Sequence, residues 1–143
     1  MQTSARNRFP GKVRSVHTGL VTDEITLDIA GGQCIVAAIS HASTLKLGIK
    51  PGMDAFALVK ASALMVVTGD GSAGQFSASN RLQGSVAQLT QDAVHAEIVI
   101  ALDGGMSATA LITSDSNHTL GLAVGDLAGV IFKASSVVIG VEV

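Results

Sequence analysis

Residues 4–13 read SARNRFPGKV, and residues 77–86 read SASNRLQGSV. The two stretches agree at six of ten positions, 73 residues apart, and the same offset holds through the rest of the chain. Val21, Glu24 and Ile25 fall on Val94, Glu97 and Ile98, and Gly31-Gly32 falls on Gly104-Gly105. Ser43, Leu47, Gly48 and Gly52 meet Ser116, Leu120, Gly121 and Gly125, and Lys60-Ala61-Ser62 meets Lys133-Ala134-Ser135. Roughly a third of each copy matches without a gap, where chance gives only a few identities. The chain is therefore expected to hold two tandem copies of one small domain, residues 1–68 and 77–143. The Gly-rich residues 69–76 between them read as a flexible connector.

Within one copy the periodicity is that of strands. Ile25, Leu27 and Ile29 alternate with Glu24, Thr26 and Asp28, the period of a half-buried strand. Gly31-Gly32 supplies a hairpin turn, and the mostly apolar run from Gln33 to Ile39 returns. Ser40 to Leu45 carries N-cap residues and predicts one short helical turn, with Ser43 and its counterpart Ser116 as the caps. Gly48 to Gly52 is a tight turn. Phe56 to Val59 is a strand, Lys60-Ala61-Ser62 interrupts it, and Leu64 to Val67 closes the copy. With the first extended run around Val13 and Val16, this makes five short strands and a small helical insertion. The fold class is therefore all-β, two tandem five-stranded barrels of the OB type.

Composition limits what such a chain can do. Hydrophobic residues are 48% and aromatics 3%, so each core is built from Val, Ile, Leu and Ala and is thin for its surface, which oligomerisation can offset. The net charge of −2 gives no basic field for nucleic acid. A single-strand-binding barrel needs stacking aromatics, and this chain has four Phe and no Tyr or Trp. Cys34 is the one cysteine, so it forms no intrachain disulfide and reads as a core thiol; it faces Ser107 in the other copy. No apolar run has the length of a signal peptide or a membrane span, which predicts a soluble cytoplasmic protein without a membrane partner. His17, His41, His95 and His118 have no counterparts in the other copy and no metal-ligand spacing. No nucleophile–base pair recurs, so an enzyme is not expected.

Ser4-Ala5-Arg6-Asn7, Gly31-Gly32, Leu47-Gly48 with Pro51-Gly52, and Lys60-Ala61-Ser62 stand in one order in both copies. Together they resemble the molybdate-binding (Mop) domain, and the tandem pair resembles the di-Mop molbindins of molybdenum storage and homeostasis. The resemblance implies molybdate as ligand, with tungstate as a substitute, held at domain and subunit interfaces of a homotrimer. It implies binding residues Ser4, Ala5, Arg6, Asn7, Lys60, Ala61 and Ser62 in the first copy. In the second it implies Ser77, Ala78, Ser79, Asn80, Lys133, Ala134 and Ser135. One departure matters: in the second copy Ser79 stands in place of the arginine. Asn7 and Asn80 have an alternative role as orienting residues, and Arg6 has one as the partner of a surface carboxylate. The same domain pair occurs in molybdate-responsive repressors, so a sensor acting through a protein partner is the alternative function.

These residue types suit such a ligand. Molybdate at neutral pH is a dianion whose four oxygens only accept hydrogen bonds. Ser4, Asn7 and Ser62 offer neutral donors, Lys60 and Arg6 charged ones. Successive backbone N–H groups in a Lys-Ala-Ser bend can cradle an anion, and Ala5 and Ala61 let it approach the backbone. Protonated phosphate needs acceptors as well, so a donor-only site disfavours it. Glu24 and Glu97 are the only recurring acids. A carboxylate repels a dianion, so they are assigned a structural strand or interface role.

Overall fold

The computed structural model describes residues 3–70 and 74–142. Strand β1 (Asn7–His17), β2 (Thr22–Ile29) and β3 (Cys34–Ser40) form an antiparallel meander. In β2 the alternating Ile25, Leu27 and Ile29 point into the core, as period two requires. Helix α1 (His41–Leu47) then leads to β4 (Asp54–Val59), and a 3-10 turn at Ala61–Ala63 leads to β5 (Met65–Thr68). The second copy repeats the series as β6 (Asn80–Gln91), β7 (His95–Leu102), β8 (Ser107–Thr113), α2 (Ser114–Leu120), β9 (Leu127–Phe132), a turn at Ala134–Ser136 and β10 (Val138–Gly140).

The helical insertion is two turns rather than one. Ser40 and Thr113, not Ser43 and Ser116, are the N-caps, each accepting a hydrogen bond from the N–H three residues on at 3.1 Å. Ser43 and Ser116 recur because their hydroxyls pair with the cap hydroxyls, at 2.7 and 2.9 Å, which makes the cap reciprocal. Gly48 and Gly121 end the helices in the left-handed region that glycine favours.

The sheets do not follow the sequence copies. One runs β10-β4-β1-β2-β3 and the other β5-β9-β6-β7-β8. The segment expected to close the first copy instead pairs with the second, Met65 opposite Ile131 and Thr68 opposite Ala128. In exchange, Val138 and Ile139 of β10 lie opposite Leu58 and Ala57 of β4. β4 and β9 are equivalent strands, so either offers the same kind of edge. The 3-10 turns at 61–63 and 134–136 redirect the chain from one sheet to the other. The connector's first residue, Gly69, is tied down rather than free. The Gly69 N–H donates to Leu127 O at 3.0 Å, and Gln83 Nε2 donates to Gly69 O at 2.7 Å. Residues 71–73 of the connector lie outside the described residues.

Each sheet curls. The β1–β2 register slips between Val13 and Ser15, and the β6–β7 register between Val86 and Gln88, the same place in both copies. Such bulges add twist and bend the strand. Gly11 and Gly84 recur at the crossing point, where a Cβ would strike the carbonyl of Asp28 or Ala101. The concave faces meet in one continuous core that includes Phe9, Ile25, Leu27, Leu82, Ile98 and Phe132, all sealed from solvent. Cys34 is half-buried at the start of β3, opposite Asp28, rather than in the core.

Candidate functional site

The β1–β4 ladder places Asn7 opposite Val59. One step beyond the ladder's end stand Arg6 on one strand and Lys60 on the other. Ser4-Ala5-Arg6-Asn7 and Lys60-Ala61-Ser62 therefore converge, although more than fifty residues separate them in sequence. Opposed Asn80 and Phe132 do the same for Ser77-Ala78-Ser79-Asn80 and Lys133-Ala134-Ser135. The 61–63 turn packs on β8 of the other sheet, and the 134–136 turn packs on β3. Each locus therefore combines both motifs of one copy with the outer strand of the other sheet.

The two asparagines hold this junction. Asn7 Nδ2 donates to Val59 O at 3.2 Å and to Thr109 O at 2.9 Å, while its Oδ1 accepts from Thr109 N–H at 2.7 Å. Asn80 Nδ2 donates to Val36 O at 2.8 Å, and its Oδ1 accepts from Val36 N–H at 2.6 Å. Both side chains are buried. The Asn7 amide has spent both its N–H bonds on backbone and keeps none for a ligand, which favours the orienting role.

The remaining motif groups face outward. Ser4, Lys60, Ser62, Ser77, Ser79, Lys133 and Ser135 are exposed. Their side chains have no hydrogen-bond or ion-pair partner among the described residues. Ala5, Ala78 and Ala134 are half-buried and Ala61 is buried, so the small residues line the floor. In each 3-10 turn the third residue's N–H bonds back to the lysine carbonyl, at 3.0 Å from both Ala63 and Ser136. The N–H groups of Ala61, Ser62, Ala134 and Ser135 precede those bonds and find no acceptor among the described residues. Both loci thus offer hydroxyls, an ammonium and free backbone donors.

Arg6 differs from this pattern. Its Nη1 and Nη2 donate to Glu97 Oε2 and Oε1 of β7 at 3.1 and 3.0 Å, a bidentate pair between the two copies. The hydrogen bond to Glu97, and secondarily its charge, hold the guanidinium pKa above its ordinary value. Arg6 thus has the carboxylate partner that the sequence leaves open as its alternative role, and that partner is Glu97, whose recurrence with Glu24 is visible in the sequence. Glu24 is exposed and has no such partner among the described residues.

Other polar groups lie away from these loci. Asp23 is sealed in the first sheet and accepts from Gly19 N–H at 3.0 Å and His41 Nδ1 at 3.0 Å. Burial alone would raise its pKa, but hydrogen bonds from Thr44, Gly19 and His41 outweigh it and lower the carboxyl below its ordinary range. Among the described residues, no group of three His, Cys, Asp or Glu side chains is placed to hold a metal ion. No described helix is long and apolar enough to cross a membrane.

Comparison with known proteins gives this geometry a family. The TOBE domain model matches residues 3–66 and again 77–139. The molybdenum-pterin-binding protein MopA of Rhodobacter capsulatus is 42% identical over 139 residues, 97% of this chain and 52% of that protein. The molybdenum transport protein ModE of Herbaspirillum seropedicae is 40% identical over 142 residues, 99% of this chain and 52% of that protein. The chain thus spans about half the length of these curated relatives. A crystal structure of the cytoplasmic molybdate-binding protein ModG, with molybdate bound, superposes with a TM-score of 0.95 at 36% identity. That match covers 99% of this chain and 100% of the other. These relatives are named for binding and transport, not catalysis. Two matched domains, with the same two-sheet fold in a relative of the same extent, place this chain in the TOBE domain family, as a tandem pair of the molbindin kind.

Proposed function

We propose that the chain binds molybdate, with tungstate as an equivalent ligand, for molybdenum storage and homeostasis. The observation that carries this is the twofold convergence of two donor-rich motifs, Ser-Ala-x-Asn and Lys-Ala-Ser, at a junction between sheets. In the first locus Ser4, Arg6, Lys60 and Ser62 supply side-chain donors, with backbone N–H groups around Ala5 and Ala61. In the second, Ser77, Ser79, Lys133 and Ser135 do so around Ala78 and Ala134. Asn7 and Asn80 fix the junction. A fully deprotonated tetrahedral anion matches the lysine ammoniums, serine hydroxyls and turn N–H groups, which face outward without partners among the described residues, while Arg6 is shared with Glu97. The ModG neighbour, described as binding molybdate, supports this ligand.

The assembly is a homotrimer on this reading, with the loci completed by neighbouring subunits. Exposed apolar residues at equivalent positions support an interface: Val21 and Val94, Met65 and Val138. A second reading, a molybdate-responsive regulatory module acting through a partner, is favoured by the ModE relative, of which this chain covers about half.

Native mass spectrometry during titration with molybdate, against an equal excess of sulfate, tests the proposal. Uptake of several molybdates by a trimer that takes no sulfate is the expected result. A protein indifferent to both anions would overturn it.

A further inference from the structure

Among the described residues, Arg6 is the one motif cation with a partner. Glu97 grips it end-on through both Nη atoms. Two oxygens of a tetrahedral oxyanion engage a guanidinium fork in the same bidentate way as a carboxylate. The Glu97 carboxylate thus occupies the donors that Arg6 would give an incoming anion. Both side chains are partly exposed, at 53% for Arg6 and 34% for Glu97. An ion pair so placed contributes little to stability and exchanges readily.

The second locus is built differently at this one point. Ser79 replaces the arginine, and Glu24 at the position equivalent to Glu97 has no partner among the described residues. The two loci therefore share lysine, serines and turn geometry, but only the first contains an internal acid seated on its arginine.

We propose that Glu97 competes with the oxyanion for Arg6. Anion capture at the first locus is then an exchange of one bidentate acid for another, while the second locus binds without exchange. Glu97 is a positioning residue that weakens the first locus and sets its affinity apart from the second. This inference rests on the oxyanion reading above.

Molybdate affinity is measured by isothermal titration for the full chain, in 0.3 M sodium chloride, where charges more than about 6 Å apart are screened. Glu97→Gln is expected to tighten binding at the first locus about fivefold, the factor lost to a competing surface pair. Glu97→Asp, which keeps the acid, is expected to stay near the unmodified protein. In an Arg6→Ser background the gain from Glu97→Gln is expected to vanish, a coupling that a merely structural glutamate would not show. Glu24→Gln is expected to give no tightening, because position 79 holds no guanidinium. Unchanged affinity for Glu97→Gln, or the same gain with and without Arg6, would overturn the proposal. Failure of the unmodified protein to bind molybdate would instead sink the function on which it rests, and is read before any variant is made.

Discussion

Asn7 and Asn80 recur because a carboxamide is the side chain that imitates a peptide group, one donor face and one acceptor face in a plane. Asn7 meets both the N–H and the C=O of Thr109, as a neighbouring strand would, and Asn80 meets both those of Val36. Each amide thus blunts the exposed edge of the other sheet's outer strand while fixing the chain that carries the Ser-Ala-x-Asn motif. Asn7→Ala leaves the Thr109 and Val59 groups unpaired in a buried place, which costs about 1–3 kcal/mol. Asn7→Asp keeps the shape but turns a carboxylate oxygen toward two carbonyls, and at neutral pH it is expected to destabilise more than alanine. Urea unfolding at one fixed protein concentration checks this order; an alanine variant as stable as the parent would remove the clasp argument. The sequence shows that these asparagines recur but not what they touch. Their partners are backbone atoms of Thr109 and Val36, and backbone atoms leave no mark in a sequence. The same holds for Gln33, whose Oε1 accepts the Gln83 N–H at 2.8 Å. Its counterpart Met106 faces no such need, because Pro10 stands where Gln83 would be and has no N–H to offer. Glu97 was half-visible: its recurrence marked it, while its partnership with Arg6 required knowing that β7 lies beside the start of β1.

Strands were read well from alternation, as in β2, and from the glycine pairs that end them. What periodicity leaves open is which strand pairs with which. β5 could close either sheet, since β4 and β9 present equivalent edges, and the turns at 61–63 and 134–136 lead each closing strand to the other copy's sheet. The exchange has a consequence for the half-chain. Residues 1–70 contain β5 but lack β10, so their own sheet has a vacant place beside β4, and their β5 has no partner strand. Two such halves can trade β5 strands as the two copies trade theirs. Residues 1–70 expressed alone are therefore expected to form assemblies of even subunit number, with no folded monomer, measured by light scattering during size-exclusion chromatography. A stable folded monomer would mean that β5 folds back onto its own β4, and that the exchange is a consequence of tandem fusion rather than of the turn.

At the scale of the whole molecule the repeat produces an approximate twofold relation, and the two Gly-Gly turns meet across it. A Cβ on Gly31 would collide with Asp103, and a Cβ on Gly104 would collide with Gly31, so these glycines serve the contact between copies as well as their own hairpins. The core behind that contact is made of aliphatic side chains with Phe9 and Phe132. A body of this size and composition gains stability by covering more apolar surface. Two pairs of uncovered apolar residues recur, and in one of them Val21 is 77% exposed and Val94 65%, at the same place in each copy, just ahead of β2 and β7. Isolated exposed apolar residues need no explanation, but the same valine retained twice in solvent does. Replacing both, as Val21→Glu with Val94→Glu, places carboxylates in any interface that uses them, where burying an unpaired charge is costly. The double variant is expected to fall from the assembled mass to that of a monomer by native mass spectrometry, with its strand signature in circular dichroism unchanged because neither side chain touches the core. An assembly that persists would place the interface elsewhere, with Met65 and Val138 next to be tested. The same spectra then locate the anions. If each locus needs a neighbouring subunit to cover it, the monomer loses molybdate as it loses its partners. A monomer that retains its full count of anions would instead show that the two junctions within one chain, built by Asn7 and Asn80, are sufficient sites.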